Sequence, residues 1–198
     1  LEINLIGAIM LNKQLFLTLS LSTLLLAGCS TTHYISITPQ EDVKTATLSN
    51  EKVIDVTTST KLSNAVGSIK TGMNERADIF TTNDVNQSVK ESVLKGLRKM
   101  GFTPDQGLMP AADLQIEITK MSYTTKVETL KTVATLEFEL KTTLAAKGQT
   151  YKANYGSQKV REYGTMPYQQ AVQDDMNALA SQTVNRLLSD PNIIALLK

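Results

Sequence analysis

Hydrophobic and polar positions divide the chain into a short apolar leader and a long, regularly patterned body. From Leu15 to Leu26 the residues are apolar apart from Thr and Ser. A bilayer-crossing helix needs about 20 such residues, so this run is too short for a permanent span and reads as part of a processing signal. Beyond it, Tyr34–Ile37 alternates as a strand does, Pro39–Asn50 is polar and reads as a loop, and Lys52–Thr60 is β-branched and half-apolar, a further strand. Gly67–Ile69 and Ala77–Phe80 read as the arms of a hairpin around Lys70–Arg76, with Gly72 and Asn74 as turn residues.

Val85, Val89, Val93, Leu97 and Met100 recur every three or four positions and predict a helix with one apolar face. Thr82, Asn83 or Asp84 supplies the N-cap, Gly101 the left-handed C-cap, and Phe102 folds back over the last turn. After a loop over Thr103–Pro110, Leu114, Ile116 and Ile118 alternate with polar residues. Ala134, Leu136, Phe138, Leu140, Thr142 and Leu144 do the same, opposite Thr135, Glu137, Glu139, Lys141 and Thr143. Lys147-Gly148-Gln149 turns the chain into a third strand, in which Tyr151, Ala153 and Tyr155 alternate and which extends toward Tyr163. A second helix starts near Pro167, with Val172, Met176, Leu179, Thr183 and Leu187 as its stripe, broadened by Ala180, Val184 and Leu188. Asp190-Pro191 opens a short final helix that buries Ile193, Ile194, Leu196 and Leu197. Consecutive strands with helices between the groups predict an α+β fold: an antiparallel sheet with two main helices on one face.

Charge and composition then narrow the function classes. Lys and Arg number 20 against 19 Asp and Glu, a net charge of +1, which gives no bulk attraction to nucleic acid. There is no Trp and aromatic residues make up 5%, which argues against carbohydrate platforms or base-stacking surfaces. Hydrophobic residues at 41% are those of a globular chain.

Leu26-Ala27-Gly28-Cys29-Ser30 closes the leader and reads as a lipobox, in which Cys29 is acylated and becomes the mature N-terminus. Cys29 is the only cysteine. Residues 1–28 are then a signal peptide, with Met10 as the expected initiator and Lys13 as its positive charge; 29–33 form a lipidated tether and 34–198 a single domain. An uncleaved span joining Ile3–Ile9 to the later run would place Lys13 in mid-membrane, at a cost of roughly 2.5–3.5 kcal/mol. Two or three acyl chains hold a protein on a membrane durably. In bacterial lipoproteins generally, Asp after the cysteine favours inner-membrane retention; Ser30 stands there instead, which implies the outer membrane, periplasmic face. Four tether residues reach about 13 Å at most, so the domain stays close to the bilayer.

Catalytic constellations are sparse. His33 is the only histidine and lies in the tether, which removes Ser-His-Asp, Cys-His and His-cluster metal arrangements. Asp174 and Asp175 point about 100° apart on a helix and read as surface charge. Ser63, Asn64 and Gly67 form no phosphate-cradling pattern, and no cofactor motif is present. A close pair among Glu137, Glu139 and Glu162 would point back to an enzyme.

The lipobox, Ile35-Ser36-Ile37-Thr38-Pro39, Met100-Gly101-Phe102, Ala112-Asp113-Leu114-Gln115-Ile116 and Tyr151-Lys152-Ala153-Asn154-Tyr155, in that order and spacing, resemble the YajG family of uncharacterised bacterial lipoproteins. The resemblance implies an anchored envelope protein and transfers no functional residue beyond the acylated cysteine. The helix–Gly–Phe–loop–Ala-Asp-Leu arrangement is also similar to small periplasmic α+β lipoproteins that assist transport or assembly machines. The reading is a non-enzymatic envelope lipoprotein that binds another envelope component, membrane-bound through Cys29. The alternative is a small-ligand or lipid-binding module with a pocket between sheet and helices.

Overall fold

The computed structural model describes residues 32–45, 52–71, 76–104 and 109–198. Among these described residues, eight strands and three helices follow one another: β1 (His33–Ile35), β2 (Val53–Thr60), β3 (Ala65–Lys70), β4 (Arg76–Thr81), α1 (Val85–Lys99), β5 (Thr103–Pro104), β6 (Ala112–Val127), β7 (Thr132–Ala146), β8 (Gln149–Tyr163), α2 (Gln169–Leu188) and α3 (Pro191–Leu197).

The strands form one mixed sheet around β6. Along one edge β6 pairs antiparallel with β7, which pairs antiparallel with β8. Its other edge is shared: β2 runs parallel to its first half and β3 parallel to Tyr123 and Thr124 near its end. β5 lies beyond β2, and β4 then β1 lie beyond β3. The expected purely antiparallel sheet is thus corrected to a mixed one. The reason is connectivity. The chain from β2 to β6 passes through β3, β4, α1 and β5, a crossover long enough to bring it back in the same direction, which a tight hairpin cannot do.

The alternating positions meet as expected where hairpins join the strands. Leu114, Ile116, Ile118, Leu136, Phe138, Leu140 and Leu144 are at most 2% exposed, whereas Gln115, Glu139 and Lys141 face water. A bulge at Thr119 shifts the β6–β7 register, so that Met121 and Tyr123 take over the inward positions from Ile118. The β7–β8 turn places both Lys147 (φ 52°) and Gly148 (φ 73°) in the left-handed region, the combination that matches the twist of a two-residue hairpin.

α2 packs over β7 and β8, and α1 packs over β2 and beside α2. Gly96 of α1 lets the helices approach closely: a Cβ there would meet Leu188 Cδ1 at 2.4 Å. Asp84 caps α1, its side chain accepting from the Gln87 N–H at 3.2 Å. At the other end Gly101 has φ 85°, and the Phe102 N–H donates to the Leu97 carbonyl at 3.0 Å, closing the helix as predicted. The stripe expected on α2 is buried throughout. In α3, Ile193 and Leu197 are buried, while Ile194 and Leu196 are only partly covered.

The segment after β1 departs from the expected loop. Residues 33–41 alternate, odd positions buried and even ones outward, and the chain lies along α2 as an extended strap. Backbone N–H groups of Tyr34, Ser36, Thr38, Gln40 and Asp42 donate in turn to side-chain oxygens of Gln169, Gln173, Asn177, Ser181 and Asn185, at 2.6–3.3 Å. The match is geometric. Two extended residues advance about 6.6 Å and four helical residues about 6 Å, so every second strap amide meets every fourth helix side chain. Asn177 and Asn185 donate back to the Ser36 and Gln40 carbonyls, and Asn83 brackets Ile37 through both its N–H and its C=O. His33, placed in the tether by its sequence position, is the first residue of β1 and is buried. The strap therefore fastens the chain to the body from its first described residues onward.

Candidate interaction site

Of the three carboxylates singled out for chemistry, Glu137 and Glu162 are each paired with a lysine, and Glu139 faces water. Glu137 accepts from Lys120 Nζ at 2.9 Å and from Ser122 Oγ at 3.2 Å, and the lysine holds its carboxyl below the usual range against a small opposing effect of burial. Glu162 accepts from Lys131 Nζ at 2.6 Å. Among the described residues no group of three or more His, Cys, Asp or Glu side chains is placed to hold a metal ion. Burial lowers the pKa of His33, and its Nδ1 has no hydrogen-bond partner among the described residues. An acid–base site would need such groups to converge on a shared opening.

Two buried or capping carboxylates instead fasten the tyrosines of β8 beneath α2 and α3. Asp175 accepts from Arg161 Nε at 2.8 Å and from the Tyr163 hydroxyl, itself 3.5 Å from the Tyr123 hydroxyl. Asp175 is 7% exposed, so it is structural rather than the surface charge expected of it; Asp174, its neighbour, does face water. Asp190 caps α3 through the Asn192 N–H and also accepts from Tyr151 at 3.0 Å and Tyr155 at 2.5 Å. Burial pushes the Tyr155 and Tyr163 hydroxyls up from their ordinary values, and the neighbouring carboxylates push them further the same way. Burial likewise pushes the Tyr123 hydroxyl up to about 12. These hydroxyls stay protonated and serve as donors. They hold β8 against the helices by its inner face, and Arg186 of α2 adds a bond to the Gly156 carbonyl.

What remains open is the rim and outer face of the sheet. β8 is 15 residues long, and among the described strands it pairs with β7 alone, so no strand lies along its other side, where the Gly156 carbonyl accepts from Arg186 of α2. Its outward side chains, Lys152, Asn154, Gln158 and Glu162 among them, are exposed. In register, Thr57, Gln115, Thr143 and Lys152 form one row across the outer face, and Ser59, Glu117, Lys141 and Asn154 the next. Part of this face is a shallow hollow of about 250 Å³. A sheet edge of this kind, lined by polar and charged side chains, can accept a strand from another chain, and lysines and other charges along it discourage indiscriminate pairing.

Between sheet and helices the described side chains are buried. Leu136, Phe138, Leu140, Met176, Leu179, Ala180, Val184 and Leu187 are at most 1% exposed. A cleft of about 180 Å³ lies at the surface between the β2–β3 connection and the start of α1, and one of about 270 Å³ lies between the strap and α1. Both are below the roughly 300–1,000 Å³ typical of small-molecule sites.

Leu26, Ala27, Gly28, Cys29 and Ser30 lie outside the described residues. Among those described, no helix is long and apolar enough to cross a membrane. Comparison with solved structures identifies the architecture. Protein XCC0632 from Xanthomonas campestris, of the DUF330 family, superposes with a TM-score of 0.54 at 11% identity, over 80% of this chain and 92% of that one. Lipoprotein GNA1162 from Neisseria meningitidis gives a TM-score of 0.32 at 12% identity, over 71% of this chain and all of that one. No curated protein matches the sequence. The Lipoprotein_16 family of uncharacterized lipoproteins matches residues 39–198, nearly the whole patterned body, in agreement with the resemblance to the YajG family. The chain belongs to that lipoprotein family.

Proposed function

We propose that the protein is a non-enzymatic lipoprotein of the outer membrane, held at the periplasmic face by acyl chains on Cys29, whose body binds another envelope protein along β8. The observation that carries this reading is the 15-residue strand β8, which has no strand on its outer side among the described residues and lies beside an open polar face. Membership of a lipoprotein family supports the anchor, and Ser30 after the cysteine supports the outer-membrane assignment. A strand added to such an edge gains main-chain hydrogen bonds along its length, while the outward residues select the partner.

A photo-crosslinking residue at Lys152, Asn154 or Gln158, in intact cells, tests the proposal. All three positions are exposed on β8. The expected result is one reproducible envelope-protein adduct from these positions and none from Glu91, exposed on α1. Equal labelling from both surfaces, or none from β8, would contradict it.

A further inference from the structure

The large apolar side chains exposed among the described residues are gathered at one end of the body. There are eight: Tyr34, Leu62, Met109, Val127, Leu130, Val160, Met166 and Tyr168. The pairing registers show where they lie. Val127 pairs with Thr132, and Thr132 with Tyr163, so the β6–β7 turn and the end of β8 share one end of the sheet. Leu130 sits in that turn, 87% exposed, and Met166 and Tyr168 follow β8 on the way into α2. β3 runs parallel to β6, β4 antiparallel to β3 and β1 parallel to β4, which places His33 and Tyr34 nearer this end than Ile35. The Tyr34 N–H donates to Gln169 at the first residue of α2, which confirms the placement. With Val160, three residues before the end of β8, six of the eight belong to this end; Leu62 lies in the β2–β3 connection, and Met109 lies just before β6, toward the opposite end.

The chain enters the body at the same end. Thr32 is three peptide steps from Cys29, which span at most about 11 Å. The strap secures the chain to α2 from Tyr34 onward, so little slack exists beyond those steps. An acyl-bearing Cys29 therefore brings this end, and not the Lys147-Gly148 end, against the bilayer surface.

We infer that the apolar end formed by Tyr34, Val127, Leu130, Met166 and Tyr168 is a membrane-docking face that inserts into the lipid interface around the anchor. The inference rests on acylation of Cys29. Tyr side chains suit this level of a bilayer because an apolar ring carries a polar tip, and Leu, Val and Met add area that water otherwise covers. Charge plays a small part: Lys126 and Lys131 stand beside Glu128 and Glu162 at this end and form ion pairs with them. Zwitterionic lipid is therefore sufficient. The consequence is an orientation: the long strands stand away from the membrane, and the β7–β8 turn points into the periplasmic space.

The sequence contains no Trp, so a single introduced one reports its own surroundings. Leu130→Trp and Tyr168→Trp alter exposed side chains, and Tyr168 makes no side-chain capping bond to lose. Gln149→Trp, exposed beside the opposite turn, is the reference. The full lipidated protein is placed on phosphatidylcholine vesicles with brominated acyl chains. The expected result is blue-shifted emission from the Leu130→Trp and Tyr168→Trp variants, quenched roughly twofold or more, as befits groups buried ~5–10 Å into the interface. Emission from the Gln149→Trp variant stays solvent-like and unquenched. Flotation with the vesicles together with solvent-like emission from all three variants would overturn the docking face alone. Failure to float would overturn the anchor, and the docking face with it.

Discussion

Replacing Gly67 with Ala is expected to lower stability by at least about 3 kcal/mol, beyond the usual range for a single substitution. In a body of this size that corresponds to a melting temperature roughly 6–12 °C lower. Gly67 lies in β3, with β4 on one side and β6 on the other, and the β3–β4 register shifts between Ala65 and Gly67. Its φ of +155° is one that side chains avoid, and a Cβ would stand 1.9 Å from the Tyr123 carbonyl oxygen. That obstacle is backbone in the central strand and cannot rotate aside. Gly164→Ala is the control: a Cβ there meets nothing within 4 Å, and the change is expected to be within about 0.5 kcal/mol of neutral. Thermal melts of the two variants check both values, and equal melting temperatures would contradict the account of β3.

The second large effect concerns Glu41, the last buried position of the strap. Its carboxylate is 3% exposed and accepts from Lys99 Nζ at 2.7 Å and Lys95 Nζ at 3.1 Å, both on α1. Burial alone would raise its pKa; Lys99, its own backbone N–H and Lys95 together more than reverse this and hold it at about 2. A folded pKa below the unfolded value means stability that is fully present above about pH 4.5 and lost as pH falls through about 2. Taken at face value the shift corresponds to about 3 kcal/mol, but both lysines are substantially solvated, and about 2 kcal/mol is the expected cost of Glu41→Gln at pH 7. Urea denaturation of wild type and variant should show this difference closing between pH 4.5 and 2. A difference that does not change with pH would contradict the ion-pair account.

These two positions also show what sequence reading reaches and what it misses. The stripe from Val85 to Leu97 and the one from Val172 to Leu188 are local patterns, and both emerged as helices with those residues inward, apart from Met100 at the C-cap of α1, which is only partly covered. Alternation likewise identified β6, β7 and β8, because one-sided burial leaves a period of two. Alternation does not specify which strand lies beside which, and the parallel pairing of β2 and β3 with β6 arises from connections that a local pattern does not encode. The strap was hidden for a similar reason. Its odd residues alternate with buried character, but Pro39 and Glu41 are not apolar in the ordinary sense, and the helix side chains that bind its amides lie more than 130 positions away. A signal did exist: Gln169, Gln173, Asn177, Ser181 and Asn185 repeat every four residues, a polar row that a merely solvated helix face has no need to keep amide-rich. Asp175 could have been placed too, since it lies three after Val172 and four before Leu179, inside the buried stripe.

The proposed site was the least legible part. An unpaired edge is a property of the assembled sheet, and the apolar end takes its residues from β1, the β6–β7 turn with the end of β6, and the approach to α2, so neither has a sequence motif of its own. The lipobox reading is the reverse case, resting on five consecutive residues and independent of the fold.

Everything proposed about orientation and partner depends on that lipidation. Metabolic labelling with a palmitate analogue, comparing the native chain with Cys29→Ala, tests it most directly. The account predicts a labelled, processed native protein and an unlabelled variant that migrates as a larger precursor; labelling that persists undiminished in Cys29→Ala would contradict it.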